Sequence, residues 1–241
     1  MESVKMRNQE IPVDLDNIPV MPFRIFVVLL GSIAFGTLAA VLILPTWLPG
    51  LTNSLLGTEA KVFWYLSRSS AMVAFILIWM SMALGIMITN KMARIWPGGP
   101  KAYDLHQFGS LLGLFFAIFH ALILLGDAYM GYDLVQILIP FQSESYRPIW
   151  VGLGQISVYL LLLIILSFYV RSRISRKVWR IIHFLSYLVF FGALLHGVLS
   201  GSDTELLWVQ IVYWSLLGSV LFLTLYRILT SIPLLTPKKT T

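Results

Sequence analysis

The 241-residue chain contains four histidines, His106, His120, His183 and His196, and each lies inside an apolar run. An ionisable side chain in such a run is costly to hold in lipid and marks a functional position. His106 and His120 are 14 residues apart, and His183 and His196 are 13 apart. As helix these gaps rise about 21 and 19.5 Å, most of a bilayer core of about 30 Å. The chain has no cysteine, which excludes disulfides, thiolate metal sites, iron–sulfur clusters and c-type haem attachment. Imidazole is then the main candidate metal ligand. Two imidazoles facing each other across a flat cavity can bind a haem iron from both sides, and such ligation favours electron transfer over oxygen binding. Zinc suits the pattern less well, because the two levels are about 20 Å apart and only one carboxylate, Asp104, lies near either pair in sequence. A haem-free reading, in which the histidines bond between helices or relay protons, gives a transporter or scaffold instead.

The elements that must position these residues follow from composition. Hydrophobic residues make up 58% of the chain and charged residues 12%, with a mean hydropathy of +0.84, the balance of an integral membrane protein. Six runs are long enough to span: about Phe23 to Leu44, Phe63 to Thr89, Leu105 to Leu125, Ile149 to Val170, Val178 to Ser200 and Leu206 to Leu229. The fold class is therefore all-α, a six-transmembrane helix bundle. Residues 1–22 read as a cytoplasmic N-terminal tail, 23–229 as the transmembrane domain and 230–241 as a cytoplasmic C-terminal tail. The net charge of +6 does not point to nucleic acid, since the basic residues flank the apolar runs. With the N-terminus inside, fourteen of the seventeen Lys and Arg fall in inner segments, leaving Lys61, Arg68 and Arg147 outside. This charge asymmetry puts both termini in the cytoplasm. Between Gly126 and Pro148, D-L-V-Q-I-L-I-P-F is apolar but too short to span, and reads as an interfacial or re-entrant piece.

The third and fifth spans run in the same direction, so His106 is level with His183 and His120 with His196. The second ring nitrogens are expected to donate to carbonyls one turn back, those of Ala102, Phe116, Trp179 and Gly192. Gly109, Gly113, Gly192 and Gly197 are candidates for making room for a macrocycle. Thirteen residues end 140° short of four turns, so His183 and His196 cannot share one face of a straight helix. Either the fifth helix is tilted or irregular, or the two haems are displaced sideways around it, and displacement is the expectation. Arg68, level with the outer pair, is a candidate propionate partner or a positive group at an acceptor site. Arg180, one turn before His183, is the candidate for the inner haem. Arg147 is a weaker candidate at the outer haem and reads first as a loop anchor, and Trp64, Trp150, Trp179 and Trp208 read as interfacial belt residues.

From about Trp64 to Leu229 the chain resembles the ferric reductase-like transmembrane domain family, the membrane dihaem module shared with ferric reductases and NADPH oxidases. The resemblance rests on the two histidine pairs and their spacing, Arg68 in R-S-S, Y-R-P-I-W-V-G-L-G before the fourth span and W-R-I-I-H in the fifth. It implies two b haems, an inner one on His106 and His183 and an outer one on His120 and His196. It further implies electron flow from a cytoplasmic donor to an extracytoplasmic acceptor. The family's FAD- and NADPH-binding domains are missing after the sixth span and no G-x-G-x-x-G is present, so the chain reads as a stand-alone, bacterial-type member. The expected donor is a separate flavoprotein or a quinol, and the expected location a cell membrane of bacterial inner-membrane type. A haem-bearing anchor subunit of a quinol-linked or flavoprotein-linked reductase complex is the alternative. No catalytic residue is assigned.

Overall fold

The computed structural model describes residues 21–57, 61–143 and 146–231; the two outermost tails assigned from the sequence lie almost wholly outside them. The described residues form helices α1 (Phe23–Trp47), α2 (Pro49–Leu56), α3 (Val62–Thr89), α4 (Gly99–Ile123), α5 (Leu134–Leu138), α6 (Pro148–Tyr169), α7 (Arg176–Phe184), α8 (Ser186–Ser200) and α9 (Leu207–Ser231), with no strand among them. Six helical stretches are long and apolar enough to cross a membrane, α7 and α8 together making one. The chain is a multi-pass membrane protein.

Local sequence accounts for where the spans begin. Gly98, at φ 99°, turns the chain, and Pro100 sits in the first turn of α4, where its missing N–H leaves no helical bond unmade. α4 therefore starts six residues before the apolar run does and carries Lys101 and Asp104 in its first turns. Pro148 opens α6 in the same way, and the Ser175 hydroxyl caps α7 by accepting from the Val178 N–H at 3.2 Å.

α3 is central, packing on α4 along one side and on α8 and α9 along another; α6 packs on α8, and α1 on α4. Between α3, α8 and α9 lie Phe75, Phe190, Val209, Tyr213 and Val220, with the Phe75 and Phe190 rings stacked at 5.7 Å. Leu114 of α4 and Val189 of α8 meet α1 and α6 in a second apolar cluster. Phe75, Phe190, Leu114 and Val189 lie between the two histidine levels along their helices. α1 buries Phe26, Thr37, Val41 and Pro45, packs Leu30 and Ala34 against the core, and exposes Val28, Phe35 and Leu42, as suits lipid contact.

The segment before α6 is a built piece rather than a slack loop. Asp133 and Gln136 form a reciprocal capping box on α5. The Gln155 side chain donates to the Gln136 and Ile137 carbonyls, both at 2.7 Å, and the Tyr159 hydroxyl donates to Leu138 O. Gln155 and Tyr159 lie roughly 10 and 16 Å along α6 from Pro148, so α5 runs down beside α6 as a re-entrant piece would. At the other end of the segment the Tyr146 hydroxyl donates to Ser200 O at 2.5 Å and the Arg147 guanidinium to Leu199 O. Arg147 is thus the loop anchor its position suggested, and it occupies carbonyls that α8 leaves open at its C-terminus.

Candidate functional site

The bundle brings the four histidines into the two pairs that the spacing implies. His106 and His183 have ring centroids 6.0 Å apart at 62°, and His120 and His196 are 6.0 Å apart at 67°. Each pair joins α4 to the span formed by α7 and α8. That span is interrupted at Leu185, whose N–H bonds back to Ile182 O at 3.1 Å. This three-residue bond turns the chain by about 120° per residue instead of about 100°, which takes up part of the angular deficit between His183 and His196. Irregularity of the helix, the option set second by the sequence, is present.

The second ring nitrogens do not use the carbonyls expected of them. Nδ1 of His106 donates to Ser81 O at 2.8 Å and Nδ1 of His120 to Ser67 O at 2.8 Å, both on α3, while Nδ1 of His196 donates to Trp150 O on α6 at 2.9 Å. The accepting carbonyls lie within α3 and α6, and each takes the imidazole N–H on a lone pair beside its own helical bond. The donor direction is fixed because a carbonyl only accepts, so Nε2 of these three rings keeps its lone pair. His183 differs: its ring stacks on Trp179 at 5.2 Å and 22°.

A small residue stands four positions after each accepting carbonyl: Ala71 after Ser67, Gly85 after Ser81, Gly154 after Trp150. A Cβ on Gly154 would come within 2.6 Å of His196 Nδ1, and one on Gly85 within 3.2 Å of His106 Cε1. The glycines singled out from the sequence lie at helix contacts, and Gly197 also lines the cavity described below. Gly109 and Gly113 lie against Met80, Leu77 and Ile78 of α3, Gly192 against the Ser157 hydroxyl, and Gly197 against Tyr213. Ser67, Ser81, Gly85, Gly154 and the Trp150 carbonyl were not found from sequence. One signal was available: Ser67 and Ser81 are 14 residues apart on the second span, the same gap as His106 and His120 on the third.

The His120 and His196 pair faces a cavity of about 380 Å³, mainly apolar in its lining. Arg68 lines it too, paired with Asp203 at 2.5 Å across from the α8–α9 turn and near the Trp64 ring at 5.7 Å. The partner of Arg68 in this structure is therefore a carboxylate of the chain itself. Arg180 is exposed on α7. Of the tryptophans read as belt residues, Trp64 packs edge-on against Tyr146 at 5.7 Å and 89°, while Trp150 and Trp179 touch the histidine sites as described.

The family model described as ferric reductase like transmembrane component matches residues 70–194, just over half of the chain. The chain belongs to this family. The matched stretch takes in His106, His120 and His183 and stops two residues before His196. Searches of the curated proteins and of the solved structures return no match.

Members of the ferric reductase-like family generally bind haem, and the residues present fit that group. Ring centroids 6.0 Å apart leave space for one metal ion bonded at about 2 Å to a nitrogen of each ring. Among the described residues no cluster of three or more His, Asp or Glu is available to enclose a bare ion, so the pairs offer two axial positions and little else. Three polar atoms in the cavity lining, Arg68 Nε, Gln155 Oε1 and Ser200 Oγ, are buried without a hydrogen-bond partner. Buried polar atoms are rarely left so. An apolar slot between two imidazoles, with unpartnered polar atoms among its walls, suits a flat apolar group with a polar edge.

Proposed function

We propose that this chain moves single electrons across the membrane through two b-type haems, one held by His106 and His183 and the other by His120 and His196. The observation that carries the reading is the equal 6.0 Å separation of the two imidazole pairs, which the helical rise along α4 sets about 21 Å apart. Haem held by each pair would supply one-electron redox chemistry. The chain's own part is to hold the rings, exclude water and set polarity. The Ser81, Ser67 and Trp150 carbonyls fix three rings in the tautomer that presents Nε2. Apolar packing by Phe75, Phe190, Leu114 and Val189 keeps the layer between the pairs dry.

Electrons enter at the His106 and His183 end, which is cytoplasmic, and leave at the His120 and His196 end, with both termini in the cytoplasm. Ten of the thirteen described Lys and Arg lie toward the entry end, in keeping with the excess of basic residues that cytoplasmic segments carry. There α7 exposes Arg176, Lys177 and Arg180, a surface suited to an acidic flavoprotein donor; a quinol is the small-molecule alternative. At the exit end Arg68 and the cavity mouth receive either the haem propionates or an acceptor.

The test is the absorption spectrum of the purified chain after haem-replete expression, with haem counted per chain. Two b-type haems are expected, and His120→Ala or His196→Ala is expected to leave one. A wild-type protein without b-type absorption would sink the reading.

A further inference from the structure

Ser67 and Ser81 each make the same double contact with a histidine of α4. The Ser67 hydroxyl donates to His120 O at 2.9 Å and lies 2.8 Å from His120 Nδ1, while the Ser67 carbonyl accepts from that Nδ1 at 2.8 Å. At the other level the Ser81 hydroxyl donates to His106 O at 3.1 Å and lies 3.1 Å from His106 Nδ1, and the Ser81 carbonyl accepts from Nδ1 at 2.8 Å. Both serines are buried, Ser67 at 1% and Ser81 at 6% exposure. α3 and α4 run antiparallel, so 14 residues along one match 14 along the other, and a single register forms both contacts. Close approach of the two helices makes this possible, for Gly109 and Gly113 lie between the histidines against the α3 backbone at Leu77 and Ile78.

We propose that Ser67 and Ser81 are positioning residues that set the orientation and electron donation of the two α4 ligands, each for its own site. This rests on the haem reading above. In each unit the serine hydroxyl spends its proton on the histidine carbonyl and turns an oxygen lone pair toward Nδ1–H, which is then shared between two acceptors on one residue. A second acceptor leaves more negative charge on the imidazole, and a more basic ligand favours the ferric over the ferrous state. The hydroxyl also ties the ligand's own backbone to α3, so the ring is held at both ends. Among the described residues no serine hydroxyl makes these contacts with His183, which stacks on Trp179, or with His196, whose Nδ1 donates to Trp150 O. The serine units are therefore particular to the α4 side of both sites.

Ser67→Ala and Ser81→Ala remove only the hydroxyl and keep the accepting carbonyl. Each variant is purified with its haem, counted per chain, titrated potentiometrically and examined by low-temperature electron paramagnetic resonance. Ser67→Ala is expected to raise the potential and shift the low-spin signal of the His120 site alone, and Ser81→Ala those of the His106 site alone. The expected size is on the order of tenfold in the reduction equilibrium, about 59 mV for a one-electron couple. Selective loss of one haem in the matching variant supports the proposal equally. Potentials and signals unchanged at both sites, or both sites altered together by either variant, would overturn it. A wild-type chain that carries no haem is a different outcome and fails the functional reading itself.

Discussion

Gly154 stands directly behind the imidazole of His196, so close that a Cβ there would lie 2.6 Å from Nδ1. The same ring nitrogen donates to Trp150 O at 2.9 Å, one helical turn earlier on α6. Carbonyl and glycine together make a seat whose back wall is bare main chain. Gly85 serves His106 in the same manner from α3, with more space: a Cβ would be 3.2 Å from Cε1.

The difference in clearance gives graded outcomes. Gly154→Ala forces the His196 ring out of its seat, and haem occupancy of the His120 and His196 site is expected to fall by more than half with the other site intact. Gly85→Ala needs the His106 ring to shift by only a few tenths of an ångström, so both haems are expected to remain. The check is haem counted per chain, and a Gly154→Ala protein with the full wild-type complement would count against the seat.

The Arg68–Asp203 pair is lopsided, with the Arg68 side chain 16% exposed and that of Asp203 48%. Asp203→Asn leaves a mostly buried guanidinium without its counter-charge, whereas Arg68→Gln leaves a carboxylate that water can solvate. Removing the solvent-side partner is therefore the costlier change, by about 1–2 kcal/mol, or roughly 2–8 °C in thermal midpoint. Thermal unfolding of both variants in one detergent tests the order, and a larger drop for Arg68→Gln reverses the argument.

The segment before α6 should loosen at strongly alkaline pH. Burial holds the Tyr132 phenol above its ordinary value of 10.0, against the opposing effect of its bond to Ser143 and with a smaller upward push from the neighbouring Tyr146. The Tyr132 and Ser143 hydroxyls are 2.8 Å apart, and Ser143 donates onward to Tyr146 O at 3.1 Å. A phenol whose folded pKa is raised lends stability that is present below its unfolded value and is lost as pH climbs through the folded one. Hydrogen exchange in residues 127–143 is expected to accelerate above about pH 10, and Tyr132→Phe should abolish that step. Persistence of the full step in the Phe variant would place its origin elsewhere.

Orientation can be read cleanly because the chain has no native cysteine. Ser172, in the turn before α7, and Ser202, in the turn after α8, are both exposed and stand at opposite ends of the bundle. A membrane-impermeant maleimide applied to intact cells is expected to label Ser202→Cys at once and Ser172→Cys only after permeabilisation. The reverse pattern would invert the proposed direction of electron flow.

The number of spans, their approximate limits and the levels of the four histidines were legible in the sequence. Each is a local property, since the length of an apolar run measures helix against bilayer and residue number along a helix measures depth. The pairing of His106 with His183 and of His120 with His196 also followed, from depth and from the direction of each span. The short apolar piece D-L-V-Q-I-L-I-P-F was also visible as too short to cross.

What only the tertiary structure decided is how each ring is held. The acceptors came out as Ser81, Ser67 and Trp150 on neighbouring helices instead of carbonyls on the ligands' own. The glycines beside the rings are Gly85 and Gly154, and the partner of Arg68 is Asp203. The interruption at Leu185 lies in a stretch with neither Gly nor Pro to announce it. All of these depend on the rotation of one helix about its axis relative to another and on their axial offset. Apart from the amphipathic α7, the long helices are apolar on most of their faces, so periodicity marks no preferred side, and packing between helices selects it.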